Sequence, residues 1–191
     1  LRAVTAMAGG RYGWALRLLR SPEARSVRDG LLALAARTAD ALLMECMVMA
    51  EEVVELNERW LAAIDTSLVV DGAVDADADR LTQLRAKAIA ELLGRSPDRF
   101  KRMAMNQLLD ILQSWYRDLA LLRVAPDSEL VTNTDWREQL TELAPRYSQA
   151  GIRFARRTIE RTRHDLLRHN AKMRLACEIL MCKLIAGRRR Q

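Results

Sequence analysis

The chain has 191 residues, of which 50% are apolar, 29% charged and 5% aromatic, and its formal net charge is +6. Its 8 glycines and 4 prolines are too few for a collagen-like or disordered chain, and for the frequent turns of an all-β fold. The longest nearly apolar run, 41–50, contains Glu45 and is too short to span a membrane. No secretory leader is recognisable, and because the chain begins with Leu1, we expect it to be a fragment that lacks an amino-terminal part.

Positive charge is concentrated in the carboxyl-terminal part of the chain. Residues 151–191 hold 12 Lys or Arg against 3 acidic residues, a net charge of +9. Residues 1–150 hold 19 against 22, a net charge of −3. This asymmetry favours an acidic partner, nucleic acid included.

The three cysteines, Cys46, Cys177 and Cys182, show no CxxC spacing. A structural zinc site needs four close ligands and a disulfide framework needs pairs of cysteines, so we expect neither. Buried, reduced thiols in a cytoplasmic protein are the expected state.

Glycine and proline divide the chain into intervals that are typical of helices. Ser21-Pro22-Glu23 is a helix-start signature, because it combines a capping hydroxyl, a first-turn proline and an early acid. In chain order we predict the end of a helix at 1–8, a short helix at 14–19, and two helices between 21 and 64 that divide near 38–40. An exposed acidic loop is predicted at 67–78. Further helices are predicted at 79–93, 98–125, 133–145 and 148–169, and a last helix follows a break at Asn170 and ends at Gly187. No segment alternates with period 2 for long enough to form a strand, so the predicted fold class is an all-α helical bundle.

The helix that begins near Ser96 has the most regular apolar pattern. Five residues repeat at alternating intervals of 4 and 3: Leu108, Leu112, Trp115, Leu119 and Leu122. Such a seam packs between helices, and we expect the Trp115 indole to lie in the core with its N–H hydrogen-bonded. Because successive residues step about 100° around a helix, Tyr116, Arg117 and Asp118 turn toward other surfaces, where some of them reach the edge of the bundle.

A methionine-rich stretch lies in the same part of the chain as the apolar run. It contains Met44, Met47 and Met49. Flexible methionine side chains fill irregular gaps in cores and also line binding grooves. Of these two roles we favour core filling.

Recognisable catalytic motifs are missing from the sequence. It contains no GxxxxGK[ST] phosphate loop, no GxGxxG and no HExxH. His164 and His169 lie beside Asp165 in a basic helix, but no nucleophile stands at a recognisable spacing, so we expect histidines that are either solvated or packed in the fold. The expectation is a non-catalytic chain without a cofactor, a metal or a small-molecule substrate.

Arginines form a stripe on the helix predicted at 148–169. Arg153, Arg157 and Arg161 are spaced i, i+4, and Arg156 and Arg163 stand beside them. This spacing makes Arg153, Arg156, Arg157 and Arg161 candidates for phosphate contacts. The alternative is a charged surface whose arginine stems cover apolar area. Apart from Phe154 no aromatic residue is interleaved, so base stacking is not expected.

Three stretches together resemble the delta-prime subunit family of bacterial DNA polymerase III, a clamp-loader component. Residues 108–122 read LLDILQSWYRDLALL and are similar to the family's L…WxRDLLLL helix. Asn133-Thr134-Asp135 matches the N-x-D that follows that helix. Residues 168–181 read RHNAKMRLACEILM and resemble its closing xxNxNxxLxLExLLL helix, although Lys172 stands where a second Asn is usual.

The beginning of the chain fits the same family. Residues 8–16 read AGGRYGWAL and resemble the AxGxxGxAL turn in the lid of clamp-loader AAA+ modules. In ATP-binding relatives this turn carries an arginine that senses the nucleotide, whereas Gly13 stands there in this chain. The resemblance therefore implies that the chain does not bind or hydrolyse ATP.

The resemblance implies a division into the end of an AAA+ lid at 1–20 and a helical collar domain at 21–191. In the family, five collars pack in a ring that holds the clamp-loader subunits together. The arginine finger, zinc ribbon and nucleotide fold of delta-prime lie in an amino-terminal domain that this chain lacks.

The implied function is a non-catalytic assembly domain of the clamp loader, which loads sliding clamps for DNA replication in the bacterial cytoplasm. The parent holoenzyme would be a DNA-directed DNA polymerase. Other clamp-loader subunits are the implied partners, and contact with DNA is expected to be weak or indirect. Tyr116, Arg117 and Asp118 are the candidate subunit-interface residues. The alternative function is a helical nucleic-acid-binding or regulatory domain that uses the basic carboxyl-terminal third.

Overall fold

The computed structural model describes residues 18, 21–69, 91, 97–169 and 171–188, with the backbone alone over 64–69. Outside them lie nearly all of the predicted segments at 1–20 and 79–93, most of the loop at 67–78, and the helix break at Asn170. The loop prediction is wrong for its first residues, because the helix before it continues to Val69.

The described residues form an all-α helical bundle, as predicted. Its helices are α1 Pro22–Arg37, α2 Cys46–Val69, α3 Pro97–Val124, α4 Arg137–Leu143, α5 Gln149–Arg168 and α6 Met173–Gly187. Short 3-10 turns at Leu43–Glu45, Thr134–Trp136 and Ala144–Arg146 flank α2 and α4. No strand occurs in the described residues. The predicted division near 38–40 is confirmed by the break between α1 and α2.

Serine hydroxyls begin two of the helices. Ser21 Oγ accepts a hydrogen bond from the Ala24 amide at 3.1 Å, which confirms the predicted start of α1. Ser148 Oγ accepts one from the Gly151 amide at 2.8 Å at the start of α5. Each hydroxyl satisfies an amide that has no partner within its own helix, so these two boundaries are fixed locally.

Two antiparallel helix pairs organise the bundle: α2 packs on α6, and α3 packs on α5. Cys46 near the start of α2 joins Cys182 near the end of α6, whereas Glu51 pairs with Arg174 near the start of α6. Helix α5 also packs on α6, and α1 lies against both α2 and α3. The two pairs thus share one core.

The disulfide between Cys46 and Cys182 corrects the expectation of three reduced thiols. Their Cα atoms lie 5.0 Å apart, within the usual range for a disulfide. The two cysteines are 136 residues apart in sequence and meet only in the packed bundle, so their spacing could not reveal the bond. Cys177 is buried and free, as predicted.

The predicted apolar seam of α3 lies at the centre of the core. Its five residues are buried: Leu108, Leu112, Trp115, Leu119 and Leu122. The largest fully buried side chains also include Trp60, Tyr116 and Tyr147. Helices α1, α2 and α5 all pack against α3, which makes α3 the central helix of the described bundle.

Candidate functional site

Tyr116 lies in the interior of the bundle, which corrects its assignment to a subunit interface. Its hydroxyl is 3.2 Å from Thr38 Oγ1, and the Tyr147 hydroxyl is 2.9 Å from the same atom. Thr38 Oγ1 donates its own proton to the Ala35 carbonyl at 2.7 Å, so both tyrosines donate to it. Burial raises the pKa of Tyr116 well above its usual value and also raises the pKa of Tyr147. These hydroxyls join the end of α1 to α3.

Asp118 is also fully buried, and its assignment to a subunit interface is corrected in the same way. Its Oδ2 accepts hydrogen bonds from the amides of Thr132 at 3.0 Å and Asn133 at 2.8 Å, and from Asn133 Nδ2 at 2.9 Å. Burying a carboxylate is costly unless donors replace its water. Asp118 therefore attaches the chain that leads to α4 to the carboxyl-terminal part of α3.

Arg28, which no sequence pattern singled out, completes this network. Its Nη2 donates to Asn133 Oδ1 at 2.9 Å. Its guanidinium also forms two bonds with the Asp135 carboxylate, at 2.7 and 2.9 Å. The Arg28 side chain is only 5% exposed, whereas the Asp135 side chain is 41% exposed, so the pair lies at the edge of the bundle. The N-x-D motif formed by Asn133 and Asp135 thus links α1 to α3.

Arg117 is the exposed residue of the three predicted interface positions. Its side chain is 48% exposed, and its Nη1 lies 3.2 Å from Asp118 Oδ1. The same nitrogen donates to Thr132 Oγ1 at 2.6 Å. Arg117 therefore pairs within its own chain while much of it faces solvent, and its role in a subunit interface stays a prediction.

Trp115 is buried, as predicted, but its indole N–H does not make the hydrogen bond that was predicted for it. Its ring packs edge-to-face on Trp136, with centroids 5.9 Å apart. Its Nε1 has no hydrogen-bond partner among the described residues, so that part of the prediction is wrong. The contribution of Trp115 to the core is therefore apolar packing.

The segment 42–48, called here the apolar segment, exposes a group of neighbouring apolar side chains. Those that are about half or more exposed are Leu42, Leu43, Met44, Met47 and Val48. The prediction of core filling is confirmed for Met49, which is fully buried, and wrong for Met44 and Met47. Exposed apolar residues are ordinary when scattered singly, whereas a contiguous group marks an interaction surface.

The apolar segment is attached to the bundle at both ends. Before it, Arg188 Nη1 donates to the Ala41 carbonyl at 2.9 Å. Within it, the Leu42 amide donates to the Glu45 carboxylate at 2.6 Å. Cys46 joins it to α6 through the disulfide. The exposed side chains therefore stand on a backbone that is held in place.

The predicted arginine stripe lies on the outer side of α5 and is called here the arginine face. Its members are all exposed: Arg153, Arg156, Arg157 and Arg161. The first three line an open surface depression together with Gln113 and Glu160. Among the described residues no carboxylate pairs with any of the four guanidinium groups. Contact with phosphate stays a prediction.

His164, Asp165 and His169 come together at the end of α5. One ligand atom from each lies within 4.8 Å of the others. Both histidines are exposed, as predicted, and three ligands are fewer than a structural zinc site uses. Arg161 and Arg168 on the same turns of α5 further disfavour a cation. We assign no metal to this group.

Cys177 is the buried thiol on α6. Burial raises its pKa to about 12. Because the thiolate is the reactive form of cysteine, Cys177 remains protonated and unreactive at neutral pH. The Cys177 side chain lies in the core that α6 shares with its neighbouring helices.

None of the described helices combines the length and the apolar character that crossing a membrane requires. Comparisons with models of protein families, with curated proteins and with solved structures give no match. We infer function from two surfaces among the described residues, the apolar segment and the arginine face.

Proposed function

We propose that this chain is a non-catalytic assembly domain, the collar domain of a delta-prime subunit in a bacterial clamp loader. In this role it holds other clamp-loader subunits in a hetero-oligomer that loads sliding clamps in the cytoplasm during DNA replication. The role requires no cofactor and no small-molecule substrate. The alternative function, a helical nucleic-acid-binding or regulatory domain, would use the arginine face instead.

The apolar segment is the observation that carries the proposal. Its leucine, methionine and valine residues are between 51% and 79% exposed, and removing apolar surface from water is the main driving force of association. Its methionines adapt to the shape of a partner helix because the thioether side chain is unbranched and flexible. A helical partner with an apolar face fits this surface.

The attachments of the apolar segment favour an interface over a loosely held loop. A partner that binds a preformed surface avoids most of the cost of ordering it, about 0.5–1.5 kcal/mol for each immobilised side chain. In a reducing cytoplasm Cys46 and Cys182 would exist as thiols. The hydrogen bonds from Arg188 to Ala41 and within the segment do not depend on the disulfide.

The residues that carry the family resemblance support the proposal from the interior. Asp118, Asn133 and Asp135 form one network with Arg28 that joins α1, α3 and the chain leading to α4. This part of the motif therefore maintains the domain's fold. The outer faces of the helices remain for contacts between subunits.

Co-expression with the other clamp-loader subunits of the same genome tests the proposal. We expect the purified chain to elute with them as a complex in size-exclusion chromatography. The double variant Met44→Ser with Met47→Ser is expected to weaken the complex at least about tenfold, since each side chain removes roughly 1 kcal/mol or more of apolar burial.

Two exposed apolar residues elsewhere provide the matched control. Val124 and Leu130 are 73% and 71% exposed, so Val124→Ser with Leu130→Ser should leave the complex unchanged. An equal loss in both double variants would remove the apolar segment from the interface. Failure of the parent chain to join any clamp-loader subunit would contradict the proposal itself.

A further inference from the structure

We infer that the arginine face is a second binding surface, for the phosphate backbone of a nucleic acid. It lies on α5, whereas the apolar segment lies before and at the start of α2. The inference does not rest on subunit assembly. The ligand chemistry is a row of phosphodiester groups, bound through charge and spacing and not through the bases.

Two acidic groups near the arginine face are already engaged with another arginine, and a third, Asp165 one turn beyond Arg161, lies 4.0 Å from His164. Glu160 Oε1 accepts a hydrogen bond from Gln113 Nε2 at 2.6 Å, and Glu160 Oε2 lies 3.4 Å from Arg163 Nε. Arg163 also donates to Asp110 Oδ1 at 2.7 Å. The carboxylates of Glu160 and Asp110 thus balance the positive charge of Arg163 where α3 packs on α5. The charges of the arginine face are left for an anion from outside.

The spacing of the arginine face suits a regular polyanion. Four residues of helix rise about 6 Å, so Arg153, Arg157 and Arg161 form an inclined row of about 12 Å. Phosphates of one DNA strand recur about every 3.4 Å along the duplex axis, and such a row therefore spans about three of them. Arg156 stands beside the row and broadens it. Each guanidinium can bind a phosphate through two parallel N–H bonds.

The arginine face offers little for reading bases. Phe154 is the aromatic residue on this part of α5, and its ring packs over Gly187 of α6. It is therefore engaged in the bundle and does not provide a platform for base stacking. Binding through this surface should not distinguish one nucleotide sequence from another.

The surroundings of the arginine face favour a nucleic acid over an acidic protein. Protein interfaces usually contain apolar or aromatic anchors at their centre. Leu167, 48% exposed near the end of α5, is an exposed large apolar side chain on this helix but lies beyond the arginine face, and between 149 and 166 no large apolar side chain is among the exposed ones. A surface with guanidinium groups and no apolar anchor matches a phosphate backbone better.

Fluorescence anisotropy of the purified 191-residue chain with a labelled DNA duplex of about 20 base pairs tests the inference. We expect a dissociation constant of roughly 10⁻⁴–10⁻⁶ M that is equal for two unrelated sequences and weakens steeply with salt. The triple variant Arg153→Gln, Arg157→Gln, Arg161→Gln should bind about tenfold more weakly or worse. Its salt slope should fall by about 3, one for each lost phosphate contact.

The control triple variant removes the same charge elsewhere. It carries Arg99→Gln, Arg102→Gln and Lys172→Gln, at positions that lie at the start of α3 and just before α6. The affinity of this variant for the duplex should stay within about twofold of that of the parent. Equal weakening by the two triple variants would overturn the inference in favour of diffuse net charge. Tighter binding of polyglutamate than of the duplex would overturn it in favour of an acidic protein.

A third variant separates charge from side-chain shape. Lysine at positions 153, 157 and 161 keeps the three charges but loses the two-bonded guanidinium geometry. We expect this variant to retain the salt slope of the parent and to bind only a few-fold more weakly. A salt slope as low as that of the glutamine variant would overturn the inference. Thermal melting should be the same for the parent and for the variants at 153, 157 and 161, because these three side chains are exposed.

Discussion

Asp118 on α3 is charged but buried, whereas Met44 before α2 is apolar but exposed. The charged residue is 0% exposed, whereas the apolar residue is 79% exposed. Asp118 can be buried because the amides of Thr132 and Asn133 and the Asn133 side chain donate to it. Met44 projects from a 3-10 turn at the corner between two helices, where the bundle packs on its neighbours Cys46 and Met49 instead.

The polarity of a side chain alone therefore does not predict its burial, because the groups that surround it in the fold must also be known. A carboxylate surrounded by donors maintains the fold, and an apolar side chain left on a corner is available to a partner. The candidate interface therefore moves from Tyr116 and Asp118 to the apolar segment. Substitutions in the interior and in the apolar segment test how differently the two regions contribute to the free energy of unfolding.

Trp115→Ala should have the largest effect and tests the interior region. Truncating a fully buried indole leaves a cavity, and we expect the free energy of unfolding to fall by about 3–5 kcal/mol. Urea unfolding followed by circular dichroism measures the change. The half-buried ring partner Trp136 provides the control, and Trp136→Ala should cost less. A Trp115 variant as stable as the parent would contradict the assignment of the α3 seam to the core.

Asp118→Asn should have the next largest effect. The carboxamide places an N–H₂ group among the N–H donors that now bind Asp118, so some of them lose their acceptor. We expect a loss of about 2–4 kcal/mol in the free energy of unfolding. Asp127→Asn changes an exposed carboxylate just after α3 and should stay within about 0.5 kcal/mol of the parent. Equal stability of the two variants would show that Asp118 does not hold the chain leading to α4.

The buried hydroxyls and thiol predict a loss of stability at high pH. The folded-state pKa is raised for Tyr116, Tyr147 and Cys177. Their contribution is therefore complete below the reference values of 9.0 for the thiol and 10.0 for the phenols. It is lost as the pH rises from there toward the higher folded-state values, because the unfolded chain releases its protons first.

Tyr116→Phe isolates one of these groups. At neutral pH it should cost about 1 kcal/mol, since it removes the hydrogen bond to Thr38 without emptying the core. Above pH 10 its free energy of unfolding should decline less steeply than that of the parent. Urea unfolding at several pH values measures both effects. A decline as steep as in the parent would show that Tyr116 is not responsible for it.

The parts of the fold that depend on nearby residues could be predicted from the sequence. The hydroxyl of Ser21 caps the amide three residues later, and the seam of α3 repeats within a single helix. Both are local patterns. The all-α class, the division near 38–40 and the core position of Trp115 followed from them.

The parts that depend on distant residues could not be predicted in this way. Arg28 meets Asp135 across 107 positions, and Cys46 meets Cys182 across 136. The burial of Asp118 needed donors from a segment beyond the end of its own helix. The exposure of Met44 and Met47 depended on how far the other helices cover the start of α2 and the 3-10 turn before it. The arginine face was predicted because its spacing is a property of one helix.

Met44 and Met49 allow the smallest expected effect to be tested against a matched control. They are the same residue type in one short stretch, yet one is largely exposed and the other fully buried. Met44→Ala should leave the free energy of unfolding within about 0.5 kcal/mol of the parent, because no packed contact is lost. Met49→Ala should cost about 2–5 kcal/mol through the cavity it leaves. Thermal and urea unfolding of the two variants measure the difference, and a large loss for Met44→Ala would show that its side chain packs within the chain and is not available to a partner.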